Sequence, residues 1–205
     1  MHASIAPMAW VIAGLGNPGE EYARTRHNAG RMALERFAKD AGFSEWRENK
    51  AASAWVSRGS VERSLAVLVL PETYMNKSGA AVAKFIKNVK QAEKLIVAYD
   101  DLDLPLGTLK ISFDRGSGGH KGVESVMRAL RTKKFWRLRM GISPTTVTGS
   151  LKKPQGEKDV QDFILGSFRE SESALLKKTL KRASEALGRV LVEGPARAMN
   201  HVNSL

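Results

Sequence analysis

Apolar and polar residues follow one another along the chain with two different periods, and these periods predict its secondary structure. Short, mostly aliphatic runs predict strands at 9–14, 52–58, 64–70, 94–98, 109–113 and 136–142. Apolar residues spaced three or four positions apart predict helices at 29–41, 78–88, 121–130 and 170–192. Because strands and helices alternate through the first two thirds of the chain, we expect an α/β fold with helices packed on a central sheet.

Two kinds of segment carry the clearest patterns. Residues 65–70 form an almost uninterrupted aliphatic run, which is typical of an interior strand covered on both faces. In the first predicted helix, Met32, Leu34 and Phe37 form the apolar face. The long C-terminal helix, 170–192, is amphipathic, because leucines recur on one face with lysines and an arginine between them.

The remaining segments are expected to be loops. The stretch 15–26 follows the first strand, and 143–158 contains two prolines and two glycines with little periodicity. We expect 143–158 to be a mobile surface loop that could serve as a lid. At 205 residues, the chain is predicted to be a single domain, since one core commonly reaches this size.

The composition restricts the chemistry that the chain can perform. It contains no cysteine, which excludes disulfides, thiolate nucleophiles and zinc–thiolate sites. Proton transfer near neutral pH therefore rests with four histidines, His2, His27, His120 and His201. A multi-histidine metal site would need nearly all of them, so we expect neither a bound metal nor another cofactor.

The charge of the chain is strongly positive and uneven. It has 33 Lys and Arg against 21 Asp and Glu, a formal net charge of +12. More than half of this excess lies between Lys110 and Arg139, where nine basic residues stand against two acidic ones and alternate with Phe135 and Trp136. This pattern predicts a nucleic-acid surface, although a solvated, solubilising face would have a similar composition.

The N-terminal apolar stretch does not predict a membrane or secreted protein. Residues 5–15 are too few to span a bilayer, and they lack the charged leader of a signal peptide. No other segment is a better candidate for a membrane span. We therefore expect a cytoplasmic enzyme or binding protein with no membrane partner.

Three early glycines imitate a nucleotide-binding motif. Gly14, Gly16 and Gly19 match the spacing of a dinucleotide fingerprint, which requires a helix beginning at the glycines and an acidic residue at the end of the next strand. Here the glycines lead into a polar segment, and Asp40 falls at the end of a predicted helix. A nicotinamide-dependent oxidoreductase is therefore the least favoured of the functions considered.

Polar residues cluster where four predicted strands end, the usual location of a site in an open α/β sheet. The first strand leads to Asn17 and His27, the third to Asn76, the fourth to Asp100 and the fifth to a Gly-Ser-Gly-Gly-His segment. Each residue by itself has a simpler explanation as a turn, cap or loop residue. Together they predict a site with a base, an acid that orients it and neutral amide donors.

Five ordered motifs resemble those of bacterial-type peptidyl-tRNA hydrolase. They are GLGNPG at 14–19, TRHNAG at 25–30, PETYMNKSG at 71–79, YDDLDLP at 99–105 and GSGGH at 116–120. The similarity continues through 135–142 and 163–166, so it covers most of the chain. It implies one domain with a mixed, twisted sheet and helices on both faces, and an enzyme that hydrolyses the ester between peptide and tRNA.

The resemblance implies roles for the clustered residues. His27 matches the general base, and Asp100 matches the acid that holds it in its basic form. Asn17 and Asn76 match residues that contact the peptidyl part of the substrate, and we expect the Asn76 amide to donate to the developing oxyanion. For His120 we expect a structural role in the glycine-rich loop.

The resemblance also implies how tRNA is bound. Tyr22 and Tyr74 match positions that line the substrate cleft, Gly119 lies in the region that approaches the tRNA end, and Arg139 matches a position that grips a phosphate. The basic residues expected to contact phosphates are Lys110, Lys121, Lys133, Lys134, Arg137 and Arg139. The expected partner is therefore tRNA, bound without sequence reading by a protein that we expect to be a monomer.

One position departs from the family pattern. Lys121 stands where an asparagine commonly follows Gly-Gly-His. A charged lysine cannot accept a hydrogen bond but can hold a phosphate, so we expect Lys121 to keep a tRNA-binding role and to lose any water-ordering role. This residue is the one feature that favours a rival function, a non-catalytic RNA-binding protein that reuses the same fold.

Overall fold

The computed structural model describes residues 9–146 and 148–205. The strands are β1 (Trp10–Gly14), β2 (Arg47–Asn49), β3 (Ala54–Val61), β4 (Ser64–Pro71), β5 (Leu95–Pro105), β6 (Leu109–Phe113) and β7 (Trp136–Ser143). The helices are α1 (Ala29–Asp40), α2 (Ser78–Val82), α3 (Val89–Ala92), α4 (Lys121–Leu130), α5 (Glu157–Leu165), α6 (Ser173–Glu193) and α7 (Pro195–Asn203). His2 and the start of the apolar stretch 5–15 lie outside the described residues.

The strands form one seven-stranded sheet in the order β2-β3-β4-β1-β5-β7-β6. The four central strands, β4, β1, β5 and β7, are parallel to one another. The outer pairs β2/β3, β3/β4 and β6/β7 are antiparallel. The predicted mixed α/β sheet is therefore confirmed.

Helices cover both faces of this sheet. On one face, α1, α6 and α7 pack against side chains such as Ile12, Leu68 and Ile96. On the other face, α2, α3 and α4 pack against alternate residues of the same strands, such as Val69 and Val97. Successive residues of the central strands are thus buried on opposite sides, which explains their continuous apolar runs.

The edge strand β6 is covered by the end of the last helix. The side chain of Asn203 accepts a hydrogen bond from the Ile111 amide at 2.8 Å and donates one to the Ile111 carbonyl at 2.9 Å. The Nζ of Lys110 donates to the Asn203 carbonyl at 2.9 Å. These contacts satisfy backbone groups that a bare edge would leave open to pairing.

Several predicted boundaries were wrong. The predicted strand 94–98 continues to Pro105, so the acidic motif is part of a strand rather than the loop after it. The predicted helix 78–88 ends in a 3-10 turn at Phe85, and Asn88 caps the separate helix α3 by accepting from the Gln91 amide. The run 65–70 is interior, but Leu65 at its start is 52% exposed.

Three helices and one strand were missed by the sequence patterns. β2 is only three residues long and polar, α3 is only four residues long, and α5 lies beside a stretch expected to be loop. α7 has a signal that could have been used, since Pro195 opens it and Ala198 and Val202 are buried four residues apart. The predicted loop 143–158 therefore ends at α5, and the long C-terminal helix begins at Ser173 rather than 170.

No helix within the described residues is long and apolar enough to cross a bilayer.

Candidate active site

Residues that follow β1 and β4 meet Asp100, which lies within β5, at one end of the sheet. Because these strands are parallel, their carboxyl ends point the same way and bring their following segments together. The His27 turn lies beside β5, and the amino end of α4 faces it from the other side of the sheet. Distant motifs thus converge on one site.

The centre of this site is a buried pair formed by His27 and Asp100. The Nδ1 atom of His27 lies 2.9 Å from Oδ1 and 3.0 Å from Oδ2 of Asp100. The side chains of His27 and Asp100 are only 8% and 2% exposed. An ionised carboxylate only accepts hydrogen bonds, so Nδ1 carries the proton and Nε2 is left as the basic nitrogen.

His120 also contacts Asp100, which the sequence did not predict. Its Nε2 lies 2.9 Å from Oδ1 of Asp100, and its Nδ1 accepts from the amides of Gly122 and Val123, both at 3.2 Å. His120 therefore caps α4 and holds its own proton on Nε2, directed at the carboxylate. The expected structural role is one part of what this side chain does.

The two imidazoles determine the charge of Asp100. Burial by itself would raise the pKa of this carboxyl, but the charges and hydrogen bonds of His27 and His120 hold it well below its ordinary range. Asp100 is therefore ionised at neutral pH. His27, Asp100 and His120 also lie close enough to hold a metal ion, but their facing atoms are already hydrogen bonded to one another.

His27 is held in place by its neighbours in the motif. The buried guanidinium of Arg26 donates to the Ser167 carbonyl and to Glu172 at 2.6 Å, and lies over the rings of Phe163 and Phe168. At the end of the same motif, Gly30 packs directly on the backbone of β5, where a Cβ atom would collide with the Ala98 carbonyl. Only glycine lets α1 approach this closely and bring His27 within reach of Asp100.

Asn17 is oriented by two partners. The side chain of Asn28 accepts from the Asn17 amide at 2.8 Å and donates to the Asn17 carbonyl at 2.9 Å. The Oδ1 atom of Asn17 accepts from the Met75 amide at 2.8 Å. Because its Oδ1 atom already accepts the bond from Met75, the side-chain group that Asn17 presents to the cleft is its Nδ2 donor.

Two cavities meet at His27 and together form one cleft. One, of about 270 Å³, lies between the glycine-rich loop 116–119 and Arg139, and the other, of about 660 Å³, contains Asn17, Tyr74 and Asn76. The residues that line both cavities are His27, Lys121, Lys153, Val160 and Ile164. A substrate bound across the junction would therefore place its central bond next to His27.

The structure places most of the predicted site residues in this cleft. His27, Asp100, Gly119, Lys121 and Arg139 line the smaller cavity, in which the Nε of Arg139 also lies 2.6 Å from Asp101. Tyr22 lines neither cavity. It is half-buried in a 3-10 turn, and its backbone carbonyl accepts a hydrogen bond from the Thr25 hydroxyl.

The remaining predicted basic residues have different environments. Lys133 and Lys134 are exposed outside the cleft, whereas Lys110 is tied to the end of α7. Arg137 is completely buried, so the prediction that it contacts tRNA phosphate was wrong. Residue type alone could not distinguish these cases, because Lys133 and Lys134 lie before β7 whereas Arg137 lies within it and is buried.

Sequence reasoning also missed residues that complete the cleft. Arg115 and Lys153 add positive charge, and Val160 and Ile164 of α5 supply an apolar wall. Asn28, adjacent to His27 in the motif, was not singled out although it orients Asn17. The Val160 and Ile164 spacing of four residues was the available signal for α5.

Tyr99 beside the site gives a prediction for alkaline pH. Burial first, and then the charge of Asp101, raises the pKa of Tyr99 to about 12. An unfolded tyrosine ionises near pH 10, so between pH ~10 and ~12 only the unfolded chain loses this proton, and the folded state is progressively destabilised. Tyr99→Phe should therefore lose less stability over this range than the wild type, by on the order of 2 kcal/mol in denaturant titrations. Parallel pH curves for the two proteins would contradict this assignment.

Comparison with known proteins gives a consistent result. The family described as Peptidyl-tRNA hydrolase matches residues 11–205. A peptidyl-tRNA hydrolase of Chloroflexus aggregans is 41% identical over 199 residues, covering 96% of this chain and 100% of that protein. One of Syntrophotalea carbinolica is 37% identical over 195 residues, covering 95% of this chain and 96% of that protein.

A solved structure is similar throughout. The crystal structure of peptidyl-tRNA hydrolase from Acinetobacter baumannii has a TM-score of 0.82 and 34% identity, covering 95% of this chain and 94% of that one. The family match, the curated relatives and the fold all extend over nearly the whole chain. This chain therefore belongs to the peptidyl-tRNA hydrolase family.

Proposed function

We propose that the chain hydrolyses the ester bond between peptide and tRNA in peptidyl-tRNA and so returns the tRNA for reuse. The observation that carries this proposal is the buried His27–Asp100 pair, whose free Nε2 is available at the junction of the two cavities. Such an ester is activated enough to be cut by a positioned water and a general base. The family membership supports the same activity.

His27 acts as the general base in this mechanism. Its Nε2 takes a proton from water while the water oxygen bonds to the ester carbonyl carbon. Asp100 keeps Nδ1 protonated and stabilises the imidazolium that forms. When the tetrahedral intermediate collapses, the bond to the ribose oxygen breaks and the imidazolium returns its proton to that oxygen, so the products are a free peptide carboxyl and a ribose hydroxyl.

Asn76 supplies a donor for the oxyanion. It lies exposed in the turn after β4 and lines the same cavity as Asn17 and His27. A side-chain amide donates without changing its charge, which suits a group that must stabilise negative charge at the carbonyl oxygen. Removing one such donor typically lowers the rate by about 10² to 10³.

Asn17 provides a basis for distinguishing peptidyl-tRNA from aminoacyl-tRNA. Because its oxygen is held by the Met75 amide, it offers an N–H donor to the cleft. A peptide or N-acyl group has a carbonyl that accepts this bond. A free α-ammonium has only donors, so it would leave the buried Asn17 amide unpaired, a mismatch that disfavours binding.

The two cavities bind different parts of the substrate. The larger one, with its neutral amides and the apolar side chains of Met75 and Leu165, suits the peptide. The smaller one, with Arg115, Arg139 and Lys121, suits the ribose and phosphates of the tRNA end, near Gly119. Tyr74 is 60% exposed at the rim of the peptide side, where it can pack on the peptide chain.

Hydrolysis of a defined substrate tests the proposed activity. The protein should release the amino acid from N-acetyl-aminoacyl-tRNA and leave the matched aminoacyl-tRNA with a free amine intact. Tight tRNA binding without release from either substrate would reject the enzyme and indicate a non-catalytic RNA-binding protein. Release from both substrates at equal rates would reject the proposed role of Asn17.

Lys121 is proposed to hold a tRNA phosphate. Its side chain is 66% exposed at the start of α4, and its Nζ lies 3.6 Å from the more exposed carboxylate of Glu157. Because both groups are exposed to solvent, Lys121 can exchange this carboxylate for a phosphate. Lys121→Asn should weaken tRNA binding and reduce the slope of log affinity against log salt by about 0.7 to 0.9, the contribution of one phosphate contact. Unchanged or tighter binding by the variant would show that Lys121 does not contact phosphate.

We also propose that the chain works as a single-domain monomer in the cytoplasm. One sheet with a core on each face accounts for its architecture. The cytoplasm is where translation produces the substrate. A dimer mass in sedimentation equilibrium would reject the monomer.

A further inference from the structure

An aromatic pair lies at the far end of β6 and β7, away from the catalytic residues. Phe113 and Trp136 are direct partners across the two strands, and their ring centroids are 4.7 Å apart. The inner part of Trp136 packs on the core, while Phe113 is 36% exposed. Part of the Phe113 ring, backed by the partly buried Trp136, is therefore presented to solvent at a strand end.

The loops that carry this pair are fixed by the buried Arg137. Its guanidinium donates to the carbonyls of Lys133 at 3.2 Å and Phe135 at 2.8 Å, and also to the Arg115 carbonyl. It lies 4.2 Å from the centre of the Phe135 ring. Arg137 therefore joins the segment after β6 to the segment before β7 and gives the surface a defined shape.

Positive charge surrounds the aromatic pair. Arg115, Lys133 and Lys134 are exposed on the two joined segments. The acid Asp114 lies 4.0 Å from the Nζ of Lys133, so it offsets only part of this charge. We refer to Phe113, Arg115, Lys133, Lys134 and Trp136 as the aromatic-basic patch.

One residue links the patch to the catalytic cleft. Arg115 belongs to the patch and also lines the smaller cavity, from which the glycine-rich loop leads to His120. Along the sheet, Trp136 pairs with Ile96, four residues before Asp100, a separation of about 13 Å along the strand direction. An RNA that extends past Arg115 from the smaller cavity would therefore be within reach of the patch.

We propose that the aromatic-basic patch binds RNA of the same substrate, with a base stacked on Phe113 and Trp136 and phosphates held by Lys133 and Lys134. This inference rests on the proposed function, because it takes tRNA as the molecule in the cleft. Aromatic faces stack on any base, and lysines attract phosphates without reading sequence. The combination of one exposed ring, a second ring behind it and surrounding cations fits RNA better than an apolar protein surface, which would not need the cations.

Affinity for uncharged tRNA tests the aromatic part of the patch. Phe113→Leu keeps an apolar side chain but removes the ring, and should weaken binding by about tenfold. Phe113→Tyr keeps the ring and should bind as the wild type does. Wild-type affinity in the leucine variant, or equal losses in both variants, would overturn the stacking proposal.

The salt dependence of binding tests the basic part. Lys133→Gln combined with Lys134→Gln should lower the slope of log affinity against log salt by roughly 1.5, as expected for two lost phosphate contacts. The matched control is Lys177→Gln with Lys178→Gln, which removes the same charge from exposed positions of α6 and should leave the slope unchanged. Equal effects of the two double variants would overturn the proposal, because only net charge would then matter.

A short substrate separates this proposal from the proposed function. An N-acetyl-aminoacyl ester of a trinucleotide occupies the cleft without the rest of the tRNA, so Phe113→Leu and the double variant Lys133→Gln with Lys134→Gln should cleave it at the wild-type rate. If the wild type cleaves neither substrate, the proposed function fails, while the affinity for uncharged tRNA still decides the patch. Slower cleavage of the short substrate by the Phe113→Leu variant would place the effect in the catalytic site and overturn a role in distant RNA binding.

Discussion

Replacing His27 by alanine is expected to lower kcat for N-acetyl-aminoacyl-tRNA by about 10² to 10⁴, while tRNA affinity stays close to that of the wild type. The imidazole is the group in the described cleft whose free nitrogen can accept a proton from water, since Asp100 is ionised and shielded by the two histidines. The proposed tRNA contacts lie elsewhere in the cleft, so the effect should fall on kcat rather than on binding.

Single-turnover hydrolysis and a separate tRNA-binding titration would measure these two effects. His201→Ala is the matched control, because His201 is exposed on α7 and should be dispensable. Activity of the His27 variant within threefold of the wild type would contradict the assignment of the base. A parallel loss of tRNA affinity would indicate that His27 serves binding instead.

Replacing Asp100 by asparagine is expected to reduce kcat by about 10³ to 10⁴. The asparagine amide can donate to Nδ1 of His27, which would move the imidazole proton to Nε2 and remove the basic lone pair from the cleft. The same change removes the acceptor for Nε2 of His120. Both histidines would therefore lose the carboxylate that fixes their tautomers.

Nitrogen chemical shifts of the histidines, measured with kcat, would test this explanation. The wild type should show His27 protonated on Nδ1, and the Asp100→Asn variant should show protonation on Nε2 with little change in tRNA affinity. Asp40→Asn is the control, since Asp40 lies at the end of α1 and bonds to Arg36. An active variant whose His27 keeps its proton on Nδ1 would show that the carboxylate charge is not required.

The glycine-rich loop illustrates where sequence reasoning was incomplete. His120 was expected to have a structural role in the glycine-rich loop, and its side chain does cap α4. Its second nitrogen reaches Asp100, which lies 20 residues away in the sequence, and nothing in the local pattern indicates that contact. Arg137 and Lys133 show the same difficulty, since both are basic residues in one short segment but only Arg137 is buried.

The sequence by itself determined the fold class and most of the members of the candidate site. Continuous apolar runs specify central strands, because such strands are buried on both faces, and polar residues after those strands identify the functional edge of the sheet. His27, Asp100, Asn17 and Asn76 could be selected in this way, and the motifs around them indicated the family.

Only the tertiary structure decided how those residues are used. The parallel pairing of β1, β4 and β5 brings distant segments together, and the resulting hydrogen bonds set the free nitrogen of His27 and the donor face of Asn17. Proton positions and burial depend on neighbours that are far apart in the chain. Local periodicity carries no information about those neighbours, which is why the second histidine on Asp100 and the pairing of Phe113 with Trp136 emerged only from the folded chain.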